Sequence, residues 1–428
     1  TGISGSGFIY NAYANTDNGS AANVSSNAEI KITNNGSGDV IGILQNGTDK
    51  KVNNALAFMN SALSNATATG KISVSGNGMV YGIKSNSTVA NSETQFNQSF
   101  NKTGDFSSEG IINVEGKSDV GAAYGIHLGE NGESKQEVYN AMGYNSTGTI
   151  NVSNTQGGSA YGIYSQASTY TDKDSDNNAV IVYNNVYNAF RSSQKYGGDN
   201  VAAVGNIEVS STGRSSNLQS LVGAYSAGNM FNAYANSGAD VKLESIGNIT
   251  VNDNSTTLNM VVRGIESDGV TIANAYNMGQ NKNTDTNVVG NITVNVNGTK
   301  SGTVGEAAGI YTKADTSQNA KIYNAALVND QSKVKGTITV QSPLNAYALS
   351  KMYGIYAEST GENAQPKNVY NAYYENLDGI SAGSVHGIIN VKAGNQSQAN
   401  EAAYYGIYVD NGTAYNAYST NPDANVVG

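Results

Sequence analysis

Ten times along this chain of 428 residues, Asn-Ala or a close variant recurs at intervals of about forty residues. The asparagines are Asn11, Asn54, Asn97, Asn140, Asn188, Asn232, Asn274, Asn324, Asn371 and Asn416. All are followed by Ala except Asn97, which precedes Gln98. A single-site enzyme has no use for the same amide ten times. A stack of structural rungs does, because each rung repeats one local problem. A fixed period of this size marks a solenoid or a propeller.

Two further motifs share the period. A glycine motif precedes each asparagine motif, most plainly as Tyr161-Gly162-Ile163-Tyr164 and Tyr353-Gly354-Ile355-Tyr356. Its glycines are Gly2, Gly42, Gly82, Gly125, Gly162, Gly223, Gly264, Gly309, Gly354 and Gly406. A third motif, Gly-x-Ile-x-Val, follows each asparagine motif, as in Gly247-Asn248-Ile249-Thr250-Val251. The order never changes. Each motif is short, β-branched or aromatic, and bounded by Gly, Asn, Ser and Asp, which is strand composition with turn punctuation. Ile249 and Val251 alternate with Asn248 and Thr250, giving one apolar and one polar face. The same period-two count puts Tyr353 and Ile355 on one face, opposite Gly354 and Tyr356. It likewise puts Val369, Asn371 and Tyr373 opposite Tyr370 and Ala372.

Three short strands per repeat predict an all-β fold, a right-handed parallel β-helix of about ten three-strand rungs. Residues 1–428 then form a single elongated solenoid, each strand stacking on its equivalent about 4.8 Å away, in a rod about 50 Å long. A propeller would need four strands per blade joined as meanders. Only Asn54 to Asn65 looks locally helical, and it lies in register with the asparagine motif.

An asparagine side chain carries both a donor and an acceptor. Amides stacked at strand spacing bond to the rungs above and below, so the ten asparagines are expected to form an internal ladder; glycan attachment or ligand binding is the alternative. The fourth position of the glycine motif tolerates charge early in the chain and becomes aromatic later. It is read as outward-facing. Tyr311, Tyr356 and Tyr408 are then an exterior column, either a packing device or a strip that binds a glycan or protein.

The continuous repeat overrides the two or three domains that length alone would suggest. Without cysteine there are no disulfides and no thiolate chemistry. A net charge of −10 with no basic patch argues against nucleic acid. No apolar run reaches the length of a membrane-spanning helix. The longest excursion from the repeat contains Asp172, Asp174 and Asp176, spaced like the start of a calcium loop. Asn177 replaces the turn glycine and Tyr183 the closing glutamate, so a solvated acidic loop competes with a calcium site; no other cofactor is expected. His127 and His386 read as surface residues. The acids Glu208 and Glu266 do not cluster by motif as the paired carboxylates of a glycosidase would, so no catalytic residues are assigned.

The three-strand rung, the missing cysteine, the scarcity of proline and the Asn/Gly/Ser/Thr bias resemble the passenger domains of bacterial autotransporter (type V secreted) proteins. The resemblance covers the whole chain and is architectural; the Tyr-Gly-Ile-Tyr and Tyr-Asn-Ala-Tyr motifs belong to this chain's own repeat. It implies a secreted or cell-surface rod, often an adhesin. The expected function is therefore a non-enzymatic stalk mediating adhesion or self-association, with itself or a host-surface glycan or protein as partner. The alternatives are a filament or surface-layer subunit, and a glycan-processing β-helix enzyme of the tailspike type. Asp423-Ala424-Asn425-Val426-Val427-Gly428 matches the segment leading into the Ile-x-Val motif at Asn291, and neither end shows a polar cap. The chain is accordingly expected to be an internal part of a longer repeat protein.

Overall fold

The computed structural model describes residues 1–16, 23–48, 50–59, 65–96, 106–129, 134–192, 202–236, 243–256, 260–279, 286–297, 305–313, 319–329, 331–342, 349–359, 365–376, 383–393 and 403–428. Among them there is no helix. Three ten-stranded sheets run the length of the stack, each made only of parallel pairs between equivalent strands of successive rungs. The first sheet collects the glycine motifs, the second the asparagine motifs and the third the Ile-x-Val motifs. The fold is a right-handed parallel β-helix of ten rungs. Residues 54–59, for all their helical look, lie within the strand Val52–Met59, because stacking on the rungs either side outweighs local propensity.

The third sheet shows plain alternation. In Glu244–Asp253, Ile249 and Val251 are buried while Asn248, Thr250 and Asn252 face out. The other two sheets do not alternate, and here the period-two reading fails. In every rung pair the register skips the motif glycine or asparagine, as between Tyr124↔Tyr161 and Ile126↔Ile163, or Tyr139↔Tyr187 and Ala141↔Ala189. At that skipped residue the alternation loses one step. Tyr353 and Tyr356 therefore lie together on the outer face, ring centroids 4.4 Å apart, while Ile355 is fully buried. Tyr370 and Tyr373 likewise meet outside at 4.7 Å, while Val369 and Ala372 point inward.

The glycines are required by space. A Cβ on the first-sheet glycines Gly2 to Gly354 would lie 2.4 to 2.8 Å from the carbonyl oxygen of the next rung's glycine. It would also lie 2.2 to 2.6 Å from the Cγ2 of the isoleucine of its own rung's third strand, such as Ile249 against Gly223. The glycine motif thus exists so that the Ile-x-Val motif can fill a narrow interior. The core is one continuous column of Ile, Val, Ala and Met from all three sheets, and volume changes in such a close-packed interior are felt directly.

The amide ladder exists, with one change of member. Each asparagine Nδ2 donates to the Oδ1 of the next rung's asparagine, nine bonds of 2.8–2.9 Å all pointing the same way along the rod. The third member is Asn91, not Asn97. Asn54 donates to Asn91 and Asn91 to Asn140, while Asn97 lies outside the described residues. The motif at Asn91 reads Asn-Ser, so matching on Asn-Ala passed over it. From Asn54 to Asn371 each amide also donates to the carbonyl of its own rung's third-strand glycine, as Asn232 does to Gly247 at 2.9 Å. A Cβ there would sit 2.0–2.1 Å from the asparagine carbonyl oxygen, so this second glycine column is as constrained as the first. In rung 1 Ala28 occupies the position, and Asn11 donates to Asn54 and Lys71 instead.

Candidate functional site

With the interior uniform from rung to rung, the three outer faces carry what is particular to this chain. On the first sheet, Tyr311, Tyr356 and Tyr408 do form an outward column, but it is not an open aromatic strip. Tyr311 is only 5% exposed. The Arg263 guanidinium lies over its ring at 3.3 Å, and its hydroxyl donates to the Glu358 carboxylate. Arg263 also pairs with Glu266 at 2.6 Å and Glu306 at 3.3 Å. Burial raises the pKa of both carboxyls, against the pull of Arg263. Burial and the bond to Glu358 raise the Tyr311 hydroxyl strongly. Tyr356 and Tyr408 are half-buried against each other at 5.3 Å. Of the three, Tyr311 is covered by its own neighbours, while Tyr356 and Tyr408 stay partly exposed.

The second sheet's outer face is an aromatic row. Tyr139, Tyr187 and Phe231 stack at 5.2 Å per step, and Tyr370 continues the pattern onto Tyr415 at 4.9 Å. At its early rungs a buried carboxylate interrupts it. Glu93 is fully buried, ion-paired with Lys51 and hydrogen-bonded by Asn53 at 2.5 Å and by Gln95. Burial alone would raise its pKa; the Lys51 ammonium and these donors hold it below the usual carboxylate range.

His127 faces outward as expected, but it is packed between rings, 5.1 Å from Tyr124 and 5.3 Å from Tyr164. Burial, with the nearby Lys84 charge, lowers its pKa to about 4. His386 sits half-buried on the outer face of the third sheet beside Ser384.

Asp172, Asp174 and Asp176 lie on and beside a turn between two paired strands. Thr169–Lys173 and Ala179–Tyr183 pair antiparallel as a projecting hairpin. Asp174 is spent closing its turn: one oxygen accepts the backbone N–H groups of Asp176 at 3.0 Å and Asn178 at 2.8 Å. Asn177 takes a left-handed conformation with φ of 64°, which Asn tolerates. Among the described residues no three Asp, Glu, His or Cys side chains converge as metal ligands would.

The third sheet's outer face differs from both. In rungs 6 to 8 it is closed by its own amides: Asn295 donates to Asn252 at 2.8 Å and Gln341 to Asn295 at 2.7 Å. In rungs 1 to 5 the equivalent positions are Thr33, Ser75, Glu115, Ser153 and Ser210, all shorter except Glu115. The outward side chains of these rungs line a trough of about 420 Å³ running across five strands. Its floor includes the main chain of Val74, Val114 and Val152, whose side chains point inward. Lys31, Glu115 and Glu208 supply its charges. Glu115 pairs with Lys117 at 3.2 Å, and Glu208 accepts from Asn252 at 3.2 Å. Thus Glu208 lies in the trough, while Glu266 belongs to the Arg263 cluster on a different sheet. The trough was not foreseen from sequence. Its signal was there, in Ser75, Ser153 and Ser210 at the outward position where later motifs carry Asn252, Asn295 and Gln341. Comparison with family models, with curated proteins and with solved structures finds no match.

Proposed function

We propose that the chain is a non-enzymatic, exported β-solenoid stalk of the autotransporter passenger kind, which adheres or self-associates through its lateral surface. The observation that carries this reading is the contrast between inside and outside. The interior repeats the same Ile, Asn and Gly columns rung after rung, while the three outer faces are aromatic-acidic, aromatic and hydroxyl-amide in turn. A uniform scaffold with differentiated faces suits contact along a rod, as repeat proteins use their extended surfaces. Within that surface the trough on the third sheet is the favoured contact region. Non-adherent cells displaying the folded chain should clump with each other or attach to a host-cell layer in proportion to its surface density. Displayed, protease-resistant chain that causes neither would remove this reading.

A second reading, a glycan-processing enzyme, has one observation in its favour: Glu115 and Glu208 line the same trough. They sit two rungs apart, an axial separation of about 10 Å, at the edge of the spacing that inverting glycosidases use. Release of reducing ends from a polysaccharide, abolished by Glu208→Gln, would establish it in place of the stalk.

A further inference from the structure

Resting on the adhesive reading, we propose that the third-sheet trough binds a neutral, unbranched oligosaccharide laid along the rod axis, about one sugar residue per rung. The trough crosses five strands, so its axial span is about 19 Å at the parallel-strand spacing. That spacing is close to the length of one pyranose unit in an extended chain. Rungs 2 and 4 offer pairs of uncharged hydrogen-bonding side chains across the trough, Ser73 with Ser75 and Asn151 with Ser153, while Lys31, Glu115 and Glu208 stand in rungs 1, 3 and 5. Hydroxyls and amides can both donate and accept, as the hydroxyls of a sugar can, so the two surfaces match without a fixed direction.

The geometry disfavours an extended peptide. A peptide gains most by adding as a strand to a free sheet edge. Here the trough runs across strands already paired on both sides from rung 2 to rung 5. An anionic polymer is disfavoured as well, since two of the trough's three charged side chains are the carboxylates of Glu115 and Glu208. Towards the later rungs the trough ends where the longer, mutually bonded Asn252, Asn295 and Gln341 begin.

The test titrates the purified full chain with cellotetraose, mannotetraose and xylotetraose, with tetragalacturonate as the charged control. At least one neutral tetrasaccharide should bind, about tenfold more tightly than its own disaccharide. Binding should be insensitive to salt, because no charge pairs form. Ser75→Tyr with Ser153→Tyr fills the trough from an outward strand position, where tyrosine is well tolerated, and should weaken binding at least about tenfold. Thr293→Tyr, on the same face outside the trough, should leave it unchanged and reports on folding. Failure of all three neutral probes, equal binding of tetragalacturonate, or binding indifferent to the serine substitutions overturns the proposal. Adhesion that survives in the double tyrosine variant also overturns the trough, while leaving the stalk reading standing. Tetrasaccharide binding by a chain whose displayed cells neither clump nor adhere supports the trough and removes the stalk reading.

Discussion

Replacing Asn232 by leucine keeps the side chain's branched shape and removes its hydrogen bonds. Four bonds disappear: to Gly247 O at 2.9 Å, to Asn274 Oδ1 at 2.8 Å, to Asn291 O at 3.1 Å, and from Asn188 at 2.8 Å. Asn188 loses least, because it keeps Gly205 O at 2.9 Å and a longer contact to Asn248 O at 3.1 Å. The Gly247 carbonyl and the Asn274 amide oxygen lose a donor where water does not reach, Asn274 being fully buried. Each such loss costs about 1–3 kcal/mol. The added apolar burial offsets part of this, leaving an expected destabilisation of about 2–4 kcal/mol. The comparison that isolates burial is Asn291→Leu on the outer face. Asn291 donates to Asn248 at 2.9 Å in the same geometry, but it is half-exposed and water replaces the partner, so the cost should stay under about 1 kcal/mol. Urea denaturation of both variants, with hydrogen exchange to locate the loosened rung, measures the difference. The double variant Asn232→Leu/Asn274→Leu should cost less than the sum of its singles, because their shared bond is lost once. If Asn232→Leu costs no more than Asn291→Leu, the inner ladder is not held by buried amide pairing and the argument fails.

Gly247→Ala drives a Cβ to 2.1 Å from the Asn232 carbonyl oxygen and 2.6 Å from its Oδ1 and should destabilise by at least about 1–3 kcal/mol, seen as a lower melting temperature. Lys51→Met strands the buried Glu93 carboxylate and should cost about 3–5 kcal/mol at neutral pH. Because the folded pKa of Glu93 is depressed, the wild-type pair contributes stability above the unfolded carboxyl pKa, and that contribution fades as pH falls through the folded value. The variant's deficit should therefore shrink on acidification, and a pH-independent deficit would contradict the pairing. His127 has a folded pKa of about 4, below that of the free side chain. The unfolded chain takes up the proton first, so stability should fall as pH drops from about 6.5 towards about 4. His127→Phe should remove that part of the acid sensitivity, measured by melting temperature against pH.

Much of this protein is determined locally and repeated. The period of the Gly, Asn and Ile-x-Val motifs states the rung, because stacking demands the same residue at the same place each time. Gly247, Ile249 and Val251 could be assigned to a strand with one buried face from their alternation alone. What sequence could not decide is where alternation breaks. Tyr353 and Tyr356 share an outer face because the strand loses a step at Gly354, a geometric fact invisible in a two-residue count. Asn91 entered the ladder in place of Asn97 because rung register outranks the neighbouring Ala, which that rung does not need. The open surface was likewise decided by packing. Tyr311 is outward yet covered, since Arg263 and Glu358 come from adjacent rungs brought over it only by the coil. The trough exists because Thr33, Ser75, Glu115, Ser153 and Ser210, from successive rungs, line up across one sheet. Stacking sets the columns from the sequence, and the lateral neighbours that only the folded coil supplies decide which columns stay open to a partner.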